Sequence, residues 1–290
     1  MLRTALPTVL SIAVAALTAL PLRAQTNDEW TRSFAPFRIV GNIYWVGSYD
    51  LSTYLITTPA GHILINTGLG DTAQQIKKNV EQLGFNFSDT KILTATHGHF
   101  DHVAGLAELK KMTGARLLIA DQDRSLVETG GKTDFAFGNS PGAQFPPVQV
   151  DGTFKDGDTL SLGSTTLTVH RHAGHTRGAT SFTTTVVENG KTYRVGIVNM
   201  GSINPGVRMV DRPSYPGIAD DYAKTFLAQK DLRLDIFLAS HASQFRLHEK
   251  HAPGDAYNPE RFVDPRGYLE GVQRLEKAYL DQVAKERAAR

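Results

Sequence analysis

From Phe37 onward, short apolar and β-branched runs alternate with Gly, Pro, Asn and Asp. Runs 38–46, 54–57 and 62–65 are too short for helices, so they predict a meander of strands. The period then changes. After Asp71, residues Ile76, Val80 and Leu83 recur at helical spacing, and Gly84 supplies a stop. A strand over 91–96 follows, and then a second helical stripe of Val103, Leu106, Leu109 and Met112, ended by Gly114. Strand 116–120 and helix 123–128 repeat the rhythm. Segment 130–147 shows no period, is rich in Gly, Pro, Asn and Ser, and carries Phe135, Phe137 and Phe145. A loop of that length is more often functional than idle. The second half repeats the plan with strands over 159–162, 166–170, 181–187 and 192–198, a helix over 219–230, a strand over 235–240 and a long helix from Gly267. Two β-rich halves, each followed by helices and joined without a low-complexity linker, imply an α/β (α+β) fold, a four-layer αββα sandwich.

The N-terminal stretch stands outside this pattern. Arg3 precedes an almost wholly apolar run from Ala5 to Leu22, which ends at Arg23-Ala24-Gln25. This reads as a signal peptide over 1–24, with a single domain over 25–290, and it predicts export to the periplasm. The charge balance then changes. Of the 31 Lys+Arg, Arg3 and Arg23 lie in the leader, which holds no acid, so the remainder equals the 29 Asp+Glu. A neutral mature chain gives no support to nucleic-acid binding or to a polybasic membrane surface. No membrane contact is expected once the leader is cleaved, and a monomer is expected. The absence of Cys excludes disulfides, thiolate ligands and Cys nucleophiles. Chemistry is left to the ten His, carboxylates, hydroxyls and metals.

One cluster stands out: Thr96-His97-Gly98-His99-Phe100-Asp101-His102, at the end of a predicted strand and the start of a helix. In an extended segment His97 and His99 point to the same side, and the turn after them can bring Asp101 and His102 to the same rim. Three imidazoles and one carboxylate within six residues are more than one ion uses, but two ions can share them. Zinc favours His nitrogen, accepts Asp oxygen, and in catalytic sites keeps a position open for water.

The spacing His-x-His-x-Asp-His resembles the defining motif of the metallo-β-lactamase superfamily. The resemblance implies the corresponding αββα fold and two further His from the second half. Ala173-Gly174-His175-Thr176 is similar to the family's Gly-His-Thr turn, and Ala239-Ser240-His241-Ala242 to its last ligand at a strand end. His170 and His172 compete for the third position, but a ligand after Gly174 fits the tight turn better. By the family pattern, His97, His99 and His175 would hold one Zn²⁺, and Asp101, His102 and His241 the other, with a hydroxide bridging them. His62, His248 and His251 have no partner at motif spacing.

Within the superfamily, thioesterases of the glyoxalase II type and many lactonases supply a bridging Asp on the strand before the last His. The stretch Val195 to Ser202 here has no carboxylate. Two subclasses of class B β-lactamase use a Cys ligand, which this chain lacks, so the resemblance narrows to the third subclass. Pro36-Phe37, Asn66-Thr67-Gly68, Asn204-Pro205-Gly206 and the run from Asn258 to Pro265 are similar to it too. Asn66 departs from the Asp that many members carry there. The activity implied is hydrolysis of the β-lactam ring of penicillins, cephalosporins and carbapenems, giving antibiotic resistance, with Asp101 orienting the hydroxide. Phe135 and Phe145 of the 130–147 loop, with Ser202 and Asn204, are the expected substrate contacts. The competing readings are a hydrolase of the same fold acting on a lactone, thioester or phosphoester, and an exported zinc-binding protein without catalysis.

Overall fold

The computed structural model describes residues 28–289, and the leader expected over 1–24 lies outside them. The meander consists of β1 (Phe37–Val40), β2 (Ile43–Trp45), β3 (Tyr54–Thr58) and β4 (Gly61–Ile65), each antiparallel to the next. From β4 the pairing becomes parallel. Strands β5 (Thr90–Thr94), β6 (Arg116–Ala120) and β7 (Gly152–Phe154) join in sequence order to complete a seven-stranded sheet. Parallel neighbours need crossovers, and helices α1 (Ala73–Gln82) and α2 (Leu106–Thr113) lie in the first two of them. The second sheet runs antiparallel through β8 (Thr159–Leu162), β9 (Thr165–Arg171), β10 (Thr180–Glu188) and β11 (Lys191–Val198). Helix α3 (Ile218–Asp231) then carries the chain to β12 (Ile236–Ala239), which pairs parallel to β11, and α4 (Pro265–Ala288) follows.

Side-chain alternation shows why the layers number four. On β3 and β4, Tyr54, Ile56, Ile63 and Ile65 join one core with Leu167, Val169, Phe182, Val195 and Ile197 of the second sheet. Leu55 and Leu64, on the opposite face, join another core with Ile76 and Val80 of α1 and Leu106 and Leu109 of α2. Both faces of the first sheet are therefore buried, which is why its strands read as continuous apolar runs. Tyr222 and Phe226 of α3 pack against Tyr279 of α4, and Tyr268 of α4 lies on Phe237 of β12. These contacts cover the second sheet. Asp264 caps α4 by accepting from the Gly267 N–H at 2.9 Å, just before Pro265 at the first helical position.

The topology gathers the loops after certain strands at one edge. Asn66, His97 and Asp123 follow the parallel strands β4, β5 and β6. In the second sheet β9, β11 and β12 share one direction, and His175, Asn199 and His241 follow them. Crevices beyond the carboxyl ends of parallel strands are where such sheets bind ligands. Hydrogen bonds join the two sheets at this edge. The Thr180 N–H donates to the Thr96 carbonyl at 2.7 Å, the Tyr54 hydroxyl to the Ala239 carbonyl at 2.6 Å, and the Thr96 and Ser240 hydroxyls lie 2.9 Å apart.

The expected stripe from Val103 to Met112 is two helices, Phe100–Val103 and α2, separated at Ala104-Gly105. A side chain on Gly105 would come within 2.9 Å of the Thr67 carbonyl, so the break lets two backbones approach closely. Strand β7 has three residues, too few to show a period. Replacing Leu64, fully buried between the first sheet and its helices, with Ala should destabilise the protein by about 2–5 kcal/mol. Urea unfolding should show a lower midpoint at unchanged slope; a midpoint equal to wild type would contradict this packing.

Candidate metal centre

Local structure brings the cluster to a point. The β5 strand ends at Thr94, the chain bends at Thr96-His97 where an extended segment was expected, and His99 is extended again before Phe100 starts a single helical turn. The preceding loop grips both ends of this segment. Asn66 adopts a left-handed conformation (φ 64°), which Asn tolerates better than most residues. Its Oδ1 accepts from the Thr96 N–H at 2.8 Å. Next to it, the Thr67 N–H donates to the His102 carbonyl at 2.7 Å. Asn66 thus does its positioning as a neutral acceptor.

The ring centroids of His97 lie 4.9 Å from His99, 4.4 Å from His102 and 4.6 Å from His175, and His102 lies 4.9 Å from His241. His99 Nδ1 and His175 Nε2 are 3.1 Å apart, aimed at a shared point. The Asp101 carboxylate sits 3.2 Å from His102 Nε2 and 3.4 Å from His241 Nε2. All six expected ligands are therefore together. His97, His99 and His175 form one group able to hold an ion, His97, Asp101 and His102 another, and His241 adjoins the second. Buried His97 Nε2 has no hydrogen-bond partner. Buried polar atoms are nearly always partnered, so convergent imidazole nitrogens with an orphan among them fit a cation.

Outer contacts hold the rings. His241 Nδ1 lies 3.0 Å from Asp50, His99 Nε2 lies 3.0 Å from Asp134, and His175 Nδ1 donates to the Ser202 carbonyl at 2.7 Å. Such partners fix the ring orientation and raise the basicity of a metal-binding His. Neither Asp50 nor Asp134 belongs to a motif, and sequence reasoning missed both. It also missed Trp30, whose ring lies 5.8 Å from that of His241.

Protonation follows burial and charge. Burial, reinforced by neighbouring imidazoles, holds His97 well below its ordinary value and His175 at about 3. Both stay neutral, as ligands must. Burial also opposes charge on His241 and on Asp101. The bonds to Asp101 and Asp50 nevertheless raise His241 to about 9, and His102 and His241 hold Asp101 well below the carboxylate range.

The centre floors a cavity of 350 Å³ whose walls include Trp30, Phe100, Phe137, Asn199, Ser202 and Asn204. Ser202 and Asn204 are where the sequence placed them. Phe135 is not: it packs edge-on against Tyr215, 4.9 Å away, on the core between the sheets. Phe145 is buried with Leu126 and Val127 beneath the first sheet. The wall is Phe137, with its ring 5.1 Å from His99. Loop composition marks the segment and not which ring faces inward. His170 and His172, the competing ligands, bond to Thr183 and Ser181 instead.

The description of the family model that matches residues 49–187 is metallo-β-lactamase superfamily. The solved class B3 di-zinc metallo-β-lactamase LRA-12, from an Alaskan soil metagenome, is 46% identical; the match covers 90% of this chain and 98% of that one, with a TM-score of 0.87. The metallo-β-lactamase GOB-18 of Elizabethkingia meningoseptica is 43% identical over 92% of this chain and 99% of its own, with a TM-score of 0.88. Among curated proteins, an uncharacterized protein of Mycobacterium leprae is 31% identical over 144 residues, 47% of this chain and 63% of that protein. The chain thus spans less than two thirds of that relative.

In the metal-free protein, His241 is protonated at neutral pH. Its raised value stabilises the metal-free fold fully below about pH 6.5, and that contribution fades as pH climbs through about 9. Zinc bound with Asp101 and His102 must displace this proton. Loading at pH 7.5 should therefore release at least one proton, that of His241 together with any lost by metal-bound water, read by titration calorimetry in buffers of different ionisation heat. Affinity at this position should rise at least about tenfold per pH unit up to pH 9. Heats independent of the buffer would contradict this protonation state.

Proposed function

The chain belongs to the metallo-β-lactamase superfamily, and we propose that it hydrolyses the four-membered amide ring of β-lactam antibiotics with two zinc ions. The observation that carries this is the donor set: five His and one Asp, without Cys or a bridging carboxylate, on the floor of a cavity with aromatic walls. Likeness to LRA-12 and GOB-18 over some 90% of the chain supports it.

When bound, two zinc ions would acidify water towards a pKa of ~7 and polarise the lactam carbonyl. The protein's own groups supply orientation. Asp101 is held ionised, which makes it a poor base but a strong hydrogen-bond acceptor for the attacking water. The buried Nδ2 groups of Asn199 and Asn204 have no partner within the protein. At the cavity wall they can donate to the carboxylate that β-lactams carry. Ser202 acts through its backbone, since its carbonyl accepts from both His175 Nδ1 and the Tyr222 hydroxyl. Trp30, Phe100 and Phe137 offer apolar faces to the rest of the bicyclic substrate. Water adds across the C–N bond, and the product carries a new carboxylate and an amine.

Export to the periplasm by the leader and antibiotic resistance of the host belong to the same proposal; the composition of residues 1–24 supports the first. Mature protein should turn over a chromogenic cephalosporin, lose that activity on chelation and regain it with zinc. Zinc-dependent turnover of lactones or thioesters alone would overturn the β-lactam reading, and zinc binding without any turnover would leave a storage protein. Asp101→Asn should lower turnover by about 10²–10⁴-fold. Near wild-type turnover would remove Asp101 from water orientation.

A further inference from the structure

Asp123 follows β6 and is 1% exposed, yet none of its three hydrogen bonds goes to a candidate ligand side chain. Its Oδ2 accepts from the Gly98 N–H at 2.9 Å and from the Thr176 hydroxyl at 2.6 Å, and its Oδ1 accepts from the Gly178 N–H at 2.8 Å. Gly98 separates His97 from His99 on the loop after β5. Thr176 adjoins His175 on the turn between β9 and β10. One carboxylate oxygen therefore joins the two halves of the three-His group, which come from different sheets.

The surrounding contacts leave little freedom. A side chain on Gly178 would fall 2.7 Å from the Asp123 carboxyl carbon, and one on Gly98 would fall 2.9 Å from Leu126. Gly178 is thus pressed against the backbone and carboxyl of Asp123, where a side chain does not fit, and Gly98 lies against the movable tip of the Leu126 side chain. The other ligands are fixed without it. His241 leans on Asp50, and the His102 backbone is held by Thr67.

We propose that Asp123 is a positioning residue that sets the spacing of His97, His99 and His175 across the two sheets. It thereby governs zinc affinity at the three-His position while leaving the position of Asp101, His102 and His241 largely unaffected. The proposal rests on the zinc reading of the centre but not on the substrate. A carboxylate that accepts three donors holds both turns in place before an ion arrives. Without it, binding must itself order the turns, and affinity falls. Asparagine preserves the shape but offers one acceptor oxygen, so its amide faces at least one N–H or hydroxyl donor head-on.

The test separates the two positions. Full-length mature protein carrying His241→Ala retains the three-His position, and protein carrying His175→Ala retains the other. Zinc affinity is measured in each by competition with a chromophoric chelator, and cobalt(II) absorption reports ligand geometry. In the first background Asp123→Asn should lower affinity about 10–100-fold and change the cobalt spectrum; in the second it should change affinity by less than about threefold. Thr176→Val, which removes one of the three bonds, should weaken the three-His position several-fold, and Thr176→Ser should restore it. If Asp123→Asn does not fold, the Thr176 pair decides by the same readout. Unchanged affinity at the three-His position, or equal loss in both backgrounds, would overturn the proposal. A parent protein that takes up no zinc in either background would instead overturn the zinc reading.

Discussion

Five imidazoles and one carboxylate must converge at a buried point, and the rest of the molecule is arranged around that demand. Convergent ring nitrogens place lone pairs opposite one another, which is unfavourable unless a cation or a proton lies between them. Their positions therefore cannot be left to the rings. The structure assigns three of the five to something outside the cluster: His241 to Asp50, His99 to Asp134, and His175 to the Ser202 carbonyl. The backbone beneath is held by Asn66, Thr67 and Asp123.

Those outer contacts come from widely separated parts of the chain, and only the two-sheet architecture makes them neighbours. Parallel strands β4, β5 and β6 deliver three loops to one edge; β9, β11 and β12 deliver three more to the facing edge. The first sheet must then be buried on both faces, by the second sheet on one side and by α1 and α2 on the other. A sheet with one solvated face could carry one set of loops but would have nothing to face it. The layer count and the metal geometry are in this sense a single requirement.

What could be read in the sequence and what could not divide along physical lines. The ligands were legible because their chemistry demands particular residue types at short spacing: His97 to His102 on one strand-to-helix junction, and His175 on a Gly turn. Long strands and helices were legible from their period. Asp50, Asp123 and Asp134 were not, because an acid in a loop has the same signature whether it is buried against a ligand turn or exposed to water. The loop over 130–147 shows the same limit at finer grain. Its composition announces a functional segment, but Phe135, Phe137 and Phe145 are chemically identical, and only the fold turns Phe137 towards His99. The helix stripe from Val103 failed for a steric reason, since the close approach of Gly105 to Thr67 leaves no trace in hydrophobic spacing.

The buried acids also explain how the centre can exist before it is loaded. Asp50, Asp101, Asp123 and Asp134 bring four carboxylates to the ligands and their supporting loops, a formal charge comparable with that of two divalent cations. In the absence of metal, burying so many carboxylates would be costly without local compensation. Compensation is built in. Burial opposes charge on Asp50, yet its bond to His241 draws it down to about 2; Asp123 is met by three donors, and burial still pushes its carboxyl up. His241, pulled up to about 9 between Asp101 and Asp50, carries a proton that stands in for part of the missing charge. Proton and metal are thus alternative occupants of the same electrostatic position. The fold can form around the first and exchange it for the second, so folding and metal acquisition need not be simultaneous.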